Sequence, residues 1–329
     1  MLLLTKNDIM KAFTMKEAIE ADKEASRMYS EGNTVVPLRL NIDIPKFEGQ
    51  TLFMTGYAKE LDITGVKIVS VFPKNIDKGI PSVPAQMLLV DGKTGQVLCI
   101  MDGTYLTQLR TGAISGAATD ILANKDVKIM ALCGTGGQAP AQLEAVLAVR
   151  NIELVKVYDI NKERSEAFAA QMQIELNKYG ARIVAADSIE DALENADIIT
   201  TVTTTKTPVI LGSLVKKGCH INGIGSYTPD MQELDLDLIK KCDKLYVDTR
   251  NGALSESGDL IIPINKGIIS ENDVDGELGE VILGTVQGRE SEDEITIFKS
   301  VGSAILDVVV AYKIYEKAKD LNIGFNFEI

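Results

Sequence analysis

Histidine and cysteine are scarce in this chain of 329 residues, which contains one histidine and four cysteines. The cysteines, Cys99, Cys133, Cys219 and Cys242, are far apart and form no CxxC pair. The sequence therefore predicts neither a disulfide framework nor a zinc site, and no bound metal is expected. His220 lies between apolar neighbours and is interpreted as a packed strand residue, so acid–base chemistry is assigned to other side chains.

Long apolar runs and an excess of basic residues are also lacking. No segment approaches the roughly 20 consecutive apolar residues of a membrane helix. The N-terminal MLLLTKNDIM has no basic residue before its leucines, unlike a secretory signal. Acidic residues outnumber basic ones by 47 to 34, and the formal net charge of -13 repels nucleic acid and anionic membranes. We therefore expect a cytoplasmic protein that binds neither nucleic acid nor a membrane.

The length indicates two globular domains. Helical periodicity up to residue 25 predicts two short helices, and alternating patterns over 35–101 then predict antiparallel strands with a hairpin signal at DGKTG. Helices are predicted over 104–122 and 300–321. In the middle third, apolar runs at 128–132 and 154–158 flank a glycine-rich turn and a helix over 139–150, the order of a βαβ unit. Further strands are predicted at 182–185, 198–201, 220–224 and 244–247.

The segment KIMALCGTGGQAPAQLEAV carries the strongest local motif. Gly134, Gly136 and Ala139 occupy the G-x-G-x-x-A positions between a predicted strand and a predicted helix. In this motif the first glycine permits a tight turn, the second lets the backbone approach a pyrophosphate, and the alanine lets helix and strand pack closely. An ordinary glycine turn is the alternative interpretation, but the flanking strand and helix favour a dinucleotide site and an α/β fold with a Rossmann domain.

Asp159 ends the next predicted strand, where dinucleotide-binding proteins carry an acidic residue. Its carboxylate can accept hydrogen bonds from the ribose 2′-hydroxyl and would repel a 2′-phosphate. Lys162 and Arg164 follow closely and soften that preference. The sequence therefore predicts NAD as the cofactor and disfavours NADP.

Segments spread over essentially the whole chain resemble the ornithine cyclodeaminase/μ-crystallin family. They are VPLRLN around Arg39, GVKIVS around Lys67, PSVPAQMLLVDGKTGQ from Pro81, LTQLRTGAISGAAT around Arg110, the GTGGQA turn, GIGSYTPDMQELD from Gly223 and FKSVGSAILD from Phe298. The resemblance implies a Rossmann NAD-binding domain over 121–300 and a second, α+β domain for substrate binding and dimerisation over 1–120 and 301–329. It also implies a homodimer joined through the sheet of that second domain.

The resemblance further implies a small amino or imino acid substrate in a cleft between the domains, with its carboxylate near Arg39, Lys67 and Arg110. An outward-facing strand lysine and a helix-surface arginine are the alternatives for Lys67 and Arg110. The cofactor-binding residues that the resemblance and the glycine motif imply are Ser82, Arg110, Gly134, Gly136, Gly137, Gln138, Asp159, Thr201, Asn222, Gly223, Ile224 and Ser300. The run TTVTTTKT around Thr201 is alternatively only a β-prone strand end.

Two departures from the family pattern bear on the reaction. Cyclodeaminases of this family look to carry an aspartate after a glycine pair, where this chain has Tyr227. A tyrosine, with a pKa of about 10, is a poor substitute for a carboxylate at neutral pH. Leu52 also stands where cyclodeaminases carry an acidic residue.

We therefore expect an NAD-dependent oxidoreductase acting on a small imino or amino acid, as a ketimine or pyrroline-2-carboxylate reductase or an amino-acid dehydrogenase. Lys67 is the expected catalytic proton donor, while Arg39 and Arg110 hold the carboxylate. One alternative is ornithine cyclodeaminase, an NAD-dependent ammonia-lyase that forms proline. The other is a non-catalytic nucleotide-binding protein, against which the presence of all three basic residues argues.

Overall fold

The structure, a computed structural model, describes residues 1–328 apart from the side chain of Ile76. Its strands are β1 Leu2–Leu4, β2 Thr34–Val35, β3 Leu40–Ile44, β4 Gly49–Ala58, β5 Ile63–Val71, β6 Ala85–Asp91, β7 Val97–Asp102, β8 Ile129–Cys133, β9 Leu154–Tyr158, β10 Arg182–Ala185, β11 Ile198–Thr201, β12 His220–Gly223, β13 Lys244–Val247, β14 Gly276–Glu277, β15 Thr296–Lys299 and β16 Phe325–Asn326. Its α-helices are α1 Lys6–Ala12, α2 Met15–Ser30, α3 Gly103–Leu122, α4 Ala139–Val149, α5 Lys162–Glu175, α6 Ile189–Leu193, α7 Leu236–Lys241, α8 Arg250–Glu256, α9 Gly258–Asn265, α10 Leu278–Leu283 and α11 Ala304–Asp320.

The chain divides into two compact units. The first unit comprises Met1–Arg110 and the chain from Ser303 onward, and the second comprises Thr111–Gly302. The sequence predicts the first division at 120/121, inside α3, whereas the contacts place it ten residues earlier in the same helix. At this point α3 contacts α4: the Gln142 side chain donates to the carbonyl of Thr111 at 2.7 Å, and a Cβ at Gly112 would lie 2.4 Å from the carbonyl oxygen of Ala141.

The first unit contains a mixed sheet in the order β16-β1-β7-β6-β5-β4-β2, with β3 paired to β4. Its central strands are antiparallel, as predicted, and the N-terminal leucines form β1, which runs parallel to β7. Burial alternates along β5, because one face of the sheet is covered by α11, on which α2 packs in turn. Both N-terminal helices begin with capping boxes, from Thr5 to Asp8 and from Thr14 to Glu17.

The second unit contains a parallel sheet in the order β10-β9-β8-β11-β12-β15-β13-β14. The first five strands have the order 3-2-1-4-5 of a dinucleotide-binding fold, with the switch point between β8 and β11, and β15 takes the sixth place although β13 and β14 precede it in the chain. Apolar residues of β8 pack alternately into two hydrophobic clusters, Met130 and Leu132 into one, Ala131 and Cys133 into the other. Burial on both faces explains the continuous apolar runs of these strands, and the predicted Rossmann fold is confirmed.

The C-terminal helix and strand β15 are among the elements that differ from the sequence prediction. The C-terminal helix begins at Ala304 rather than at residue 300, because Asp248 accepts hydrogen bonds from the Ser300 hydroxyl at 2.7 Å and from the backbone N–H groups of Val301 and Gly302 at 3.0 and 2.7 Å. Strand β15 was not predicted at all. Within residues 1–328, the helices are too short or too polar to cross a bilayer.

Candidate active site

One buried carboxylate in the first unit binds two basic side chains. Lys67, on β5, is 1% exposed, and its Nζ donates to Oδ2 of Asp307 at 2.7 Å. Arg110, on α3, is 5% exposed, and its Nε lies 2.9 Å from Oδ1 of Asp307. Asp307 lies in the first turn of α11, where the helix dipole favours negative charge. The interpretations of Lys67 as an outward-facing lysine and of Arg110 as a surface arginine are therefore wrong.

The pKa of Lys67 is lowered to about 7, mainly because burial disfavours its ammonium form. The charges of Arg110 and Arg39 lower this pKa further, whereas Asp307 opposes them by its charge and its hydrogen bond. A lysine in this environment exchanges a proton near neutral pH, which is the property required of a general acid or base.

The three predicted substrate-binding residues come together in the first unit. Arg39 precedes β3, is partly exposed, and lies close enough to Lys67 for its charge to lower the lysine's pKa. Arg110 has a buried Nη1 without a hydrogen-bond partner. A planar guanidinium with a free donor suits a carboxylate, and here it lies beside an ammonium group.

Sequence analysis assigned no role to Asp307, and it also missed a second carboxyl group beside this cluster. Asp22, on the face of α2 that packs against α11, is completely buried, and neither of its oxygens has a hydrogen-bond partner. Burial raises its pKa well above the usual value and the charge of Asp307 adds to this, while Arg110 opposes both. Asp22 recurs with Ala18, Ile19 and Ala25 in the apolar repeat of α2, so the periodicity indicates the buried face but not the charged neighbours.

An apolar cluster lines the same face of the sheet as Lys67. It consists of Met54, Val69, Ala85 and Ala304, with Val36 and Leu52 packed against it. Met54 is paired directly with Lys67 across the sheet, and Leu52 with Val69. These side chains make the sheet face beside the basic residues apolar, which suits an apolar group of a small substrate.

In the second unit, the glycine turn between β8 and α4 has the geometry that its motif predicts. Gly134 has a φ of 100°, and its N–H donates to the carbonyl of Tyr158 at 2.8 Å. A Cβ at Gly136 would have no neighbour within 4 Å, and its φ is not left-handed, so the turn itself does not require glycine there. Space above this backbone is what a pyrophosphate needs.

The start of α4 is also free of side-chain capping. Gln138 is the N-cap residue and makes no capping hydrogen bond, whereas α5 begins with a capping bond from Asn161. The Oε1 atom of Gln138 is buried without a partner, and the adjacent Gly137 is exposed. An uncapped helix N-terminus can bind a phosphate, although here Pro140 has no N–H and the N–H of Ala139 donates to the carbonyl of Gly136 at 3.0 Å.

Asp159 is held in place at the end of β9. Its Oδ2 accepts hydrogen bonds from the hydroxyl and N–H of Thr135 at 2.6 and 3.1 Å, and its Oδ1 from the N–H of Asn161 at 3.0 Å. Burial alone would raise the pKa of Asp159, but these hydrogen bonds hold it below its usual value. The group is therefore an oriented carboxylate, as recognition of ribose hydroxyls requires.

The other predicted cofactor residues lie along the carboxyl edge of the parallel sheet, except Ser82 and Arg110, which belong to the first unit. Gly223 ends β12, and Ile224 follows it with its N–H bonded to the carbonyl of Thr201 at 2.9 Å. The Asn222 side chain bonds to Thr119 at 2.9 Å and to His220 at 3.2 Å, and the whole residue is buried in the strand between β11 and β15.

His220 is a packed strand residue, as interpreted from the sequence. It is completely buried, bonds to Thr296 at 2.8 Å, and burial lowers its pKa to about 3. Burial raises the pKa of Tyr227, which makes this tyrosine still less suited to act as a base. Among the described residues, no histidine, cysteine and carboxylate side chains are grouped as a metal site.

Comparison with known proteins gives the chain's relationships. Residues 1–322 match the Ornithine cyclodeaminase/mu-crystallin family. A Delta(1)-pyrroline-2-carboxylate reductase of Bacillus cereus is 39% identical over 328 residues, covering 100% of both chains. The structure of Thermococcus litoralis Delta(1)-pyrroline-2-carboxylate reductase, in complex with NADH and L-proline, superposes with a TM-score of 0.94 at 44% identity, covering 99% of this chain and 100% of that one.

A third relative is an archaeal alanine dehydrogenase dimer with bound NAD. Its structure superposes with a TM-score of 0.91 at 37% identity, covering 100% of this chain and 99% of the other. Full-length agreement in sequence and fold confirms the resemblance seen in the motifs. This chain belongs to the ornithine cyclodeaminase/mu-crystallin family.

Proposed function

We propose that this protein is an NAD-dependent reductase of a small cyclic imino acid, with Δ1-pyrroline-2-carboxylate as the substrate and L-proline as the product. The observation that carries the proposal is the buried cluster of Lys67, Asp307 and Arg110, in which a lysine with a pKa of about 7 adjoins a carboxylate-binding arginine. Similarity to two pyrroline-2-carboxylate reductases over the whole chain supports it.

The basic residues have separate roles in substrate binding and in proton transfer. Arg110 and Arg39 bind the substrate carboxylate, and the apolar cluster around Val69 receives the ring. Lys67 donates a proton to the imine nitrogen as the carbon is reduced, and Asp307 holds its ammonium in position. NADH, when bound, supplies the hydride that the imine carbon receives.

Three features of the second unit support dinucleotide binding. Gly136 leaves room for a pyrophosphate, α4 has an uncapped N-terminus, and Asp159 is oriented as an acceptor for ribose hydroxyls. Bound NAD or NADH in related structures supports the same cofactor for this chain. Asp159 favours NAD over NADP.

Ornithine cyclodeamination is disfavoured by the same region of the first unit. Leu52, which stands where cyclodeaminases of the family look to carry an acidic residue, packs on the apolar cluster. In the second unit, Tyr227 has a raised pKa and cannot replace an acidic group at neutral pH.

We also propose that the protein is a cytoplasmic homodimer joined through the outer face of the mixed sheet. Leu40 and Ile42 of β3 are 61% and 48% exposed, and Leu38 and Val35 nearby are 71% and 51% exposed. Contiguous exposed apolar residues on one sheet edge are typical of a protein interface. The related alanine dehydrogenase is a dimer. Free cysteines in the described residues agree with a reducing compartment.

An assay of purified protein with three substrate sets tests the reaction. Δ1-Pyrroline-2-carboxylate with NADH should give L-proline and consume NADH in a one-to-one ratio without releasing ammonia. Pyruvate with ammonia and NADH tests alanine dehydrogenation, and ornithine with catalytic NAD tests cyclodeamination. Formation of proline and ammonia from ornithine would contradict the proposal.

Lys67→Ala is the diagnostic variant. We expect it to abolish turnover while leaving NADH affinity within about threefold, because Lys67 belongs to the first unit, whereas the predicted dinucleotide residues other than Ser82 and Arg110 belong to the second. Lys93→Ala, which changes a lysine that is 72% exposed, is the matched control and should retain activity. Equal activity in the Lys67 variant would exclude this residue as the proton donor.

A further inference from the structure

Glu233, a buried carboxylate of the second unit, takes part in none of the steps above, although it lies in the PDMQELD segment that carries part of the family resemblance. Its Oε1 accepts hydrogen bonds from the Thr201 hydroxyl at 2.6 Å and from the N–H and hydroxyl of Thr203 at 2.6 and 2.8 Å. Its Oε2 accepts from the N–H groups of Gly225 and Ser226 at 2.6 and 3.1 Å. One carboxylate therefore ties the loop after β11 to the loop after β12.

These two loops also pack directly on each other. A Cβ at Gly225 would lie 2.0 Å from the carbonyl oxygen of Thr203 and 2.5 Å from Oε1 of Glu233. The loop after β11 in turn approaches the glycine turn, because a Cβ at Gly134 would lie 3.0 Å from the Thr203 side chain. The path of each loop is thus fixed by the other and by Glu233.

A second set of buried charges holds Glu233 itself. Asp259 accepts hydrogen bonds from the N–H groups of Glu233 and Leu234 at 2.7 and 3.0 Å through Oδ1, and its Oδ2 forms an ion pair with Lys299 at 3.1 Å. Glu233, Asp259 and Lys299 are all 0% exposed. Burying such groups stabilises a fold less than apolar packing does, so we interpret the cluster as one that fixes position.

The location of the loops indicates what they position. They follow β11 and β12, on the side of the switch point away from β9 and Asp159. In a fold with this strand order, the two mononucleotide halves of a dinucleotide bind on opposite sides of the switch point, at the carboxyl ends of the strands. Since Asp159 marks the adenosine side, the loops tied by Glu233 lie on the nicotinamide side.

We propose that Glu233 is a positioning residue for the nicotinamide half of the dinucleotide, acting through the loops after β11 and β12. The proposal rests on the dinucleotide binding proposed above. It implies that the adenosine half binds independently of Glu233. A residue needed only for folding would instead affect both halves alike.

Calorimetric titration of the Glu233→Gln variant with NADH and with ADP-ribose separates these outcomes. The glutamine places an NH₂ donor against backbone N–H donors, so the loops lose bonds to a charged acceptor. We expect NADH to bind about tenfold more weakly or worse, and ADP-ribose, which lacks nicotinamide, to change by less than about twofold. Thermal denaturation of the same samples establishes that the variant is folded.

Two further variants serve as a control and as a second test of the proposal. Asp197→Asn is the matched control, since Asp197 is also a carboxylate that binds backbone N–H groups, those of Lys128 and Ile129 at 2.7 and 2.8 Å, but at the amino edge of the sheet. It should leave both affinities unchanged. Thr201→Val removes one hydrogen bond to Glu233 with little change in shape and should show the same selective loss, at about threefold, if the glutamine variant does not fold.

The inference would be overturned if the folded Glu233 or Thr201 variants lost affinity for NADH and ADP-ribose equally. It would also be overturned if they lost affinity for neither ligand. Binding of neither ligand to the wild-type protein would instead overturn the proposed cofactor, and the inference with it. A selective loss of affinity for NADH would support the inference if the KM for NADH were also raised and the KM for the imino acid unchanged.

Discussion

At the scale of single residues, Asp307 decides how the two buried cations act. One carboxylate binds both Lys67 and Arg110, so the cluster has an excess of positive charge that a substrate carboxylate neutralises. Asp307 also keeps the pKa of Lys67 from falling below about 7 under the effects of burial and of Arg110. The proton donor therefore depends on a residue 240 positions away in the sequence.

The pH dependence of reduction follows from this cluster. Because Lys67 must be protonated to act as the acid, kcat/KM for the imino acid should fall as pH rises through about 7. Asp307→Asn removes the interactions that raise the pKa of Lys67, so the fall should begin at a lower pH. Steady-state kinetics over a pH series measures both profiles.

Glu24→Gln is the control for that comparison. It removes an ion pair with Lys313 between α2 and α11, the helix that carries Asp307, but at the surface. Its profile should match that of the wild type. A profile for Asp307→Asn that is unshifted or moves to higher pH would contradict the assigned role.

Asp22 should make stability depend on pH in the opposite sense to most carboxylates. Its folded-state pKa is raised, so its contribution to stability is present below the usual carboxyl pKa and is lost as pH rises toward the raised value. Asp22→Asn does not titrate, so it should be more stable than the wild type at neutral pH, by about 1 kcal/mol or more, and gain little at acidic pH.

Urea denaturation at acidic and neutral pH measures this difference. Glu20→Gln, on the exposed part of the same helix, is the control and should show no pH-dependent gain. The same stability difference at both pH values for Asp22→Asn would show that the carboxyl proton is not involved.

At the scale of elements, the turn between β8 and α4 shows how a glycine can indicate a ligand-binding site. Gly134 and Gly112 are explained by the chain itself, through a left-handed φ and through close contact with α4. Gly136 has neither constraint. A larger residue at position 136 should therefore leave the fold intact but prevent the cofactor from binding.

We expect Gly136→Val to keep the thermal midpoint within about 2 °C of the wild type and to lose NADH binding by about a hundredfold or more, since its methyl groups occupy the space for the pyrophosphate. Circular dichroism and calorimetry measure the two quantities. Gly112→Val, which would collide with the backbone of Ala141, should instead lower the midpoint. Unchanged affinity in the Gly136 variant would place the pyrophosphate elsewhere.

At the scale of the whole molecule, the apolar outer face of β3 predicts the oligomeric state. Light scattering should give twice the mass of the chain, and Leu40→Asp combined with Ile42→Asp should give a monomer, because the two carboxylates would be buried without partners. Ile174→Asp, which changes an isoleucine that is 80% exposed on α5, is the control and should remain a dimer. A wild-type monomer would contradict the proposal.

Local sequence was sufficient for much of the fold. Strands β9, β10, β11 and β13 have the predicted bounds, and the glycine turn has its predicted position, because apolar runs, periodicity and glycine act over a few neighbouring residues. The basic residues Arg39, Lys67 and Arg110 were found through the motifs that resemble the family. Their roles in substrate binding stay predictions.

Tertiary structure alone decided which charges meet. Strand β15 ends in Lys299, which local sequence does not mark as buried and which the fold pairs with Asp259. In the same way α11 brings Asp307 to Lys67, and α2 buries Asp22. Sequence determines the elements because their pattern is local, whereas the energy of a buried charge depends on neighbours that the chain brings together only when it folds.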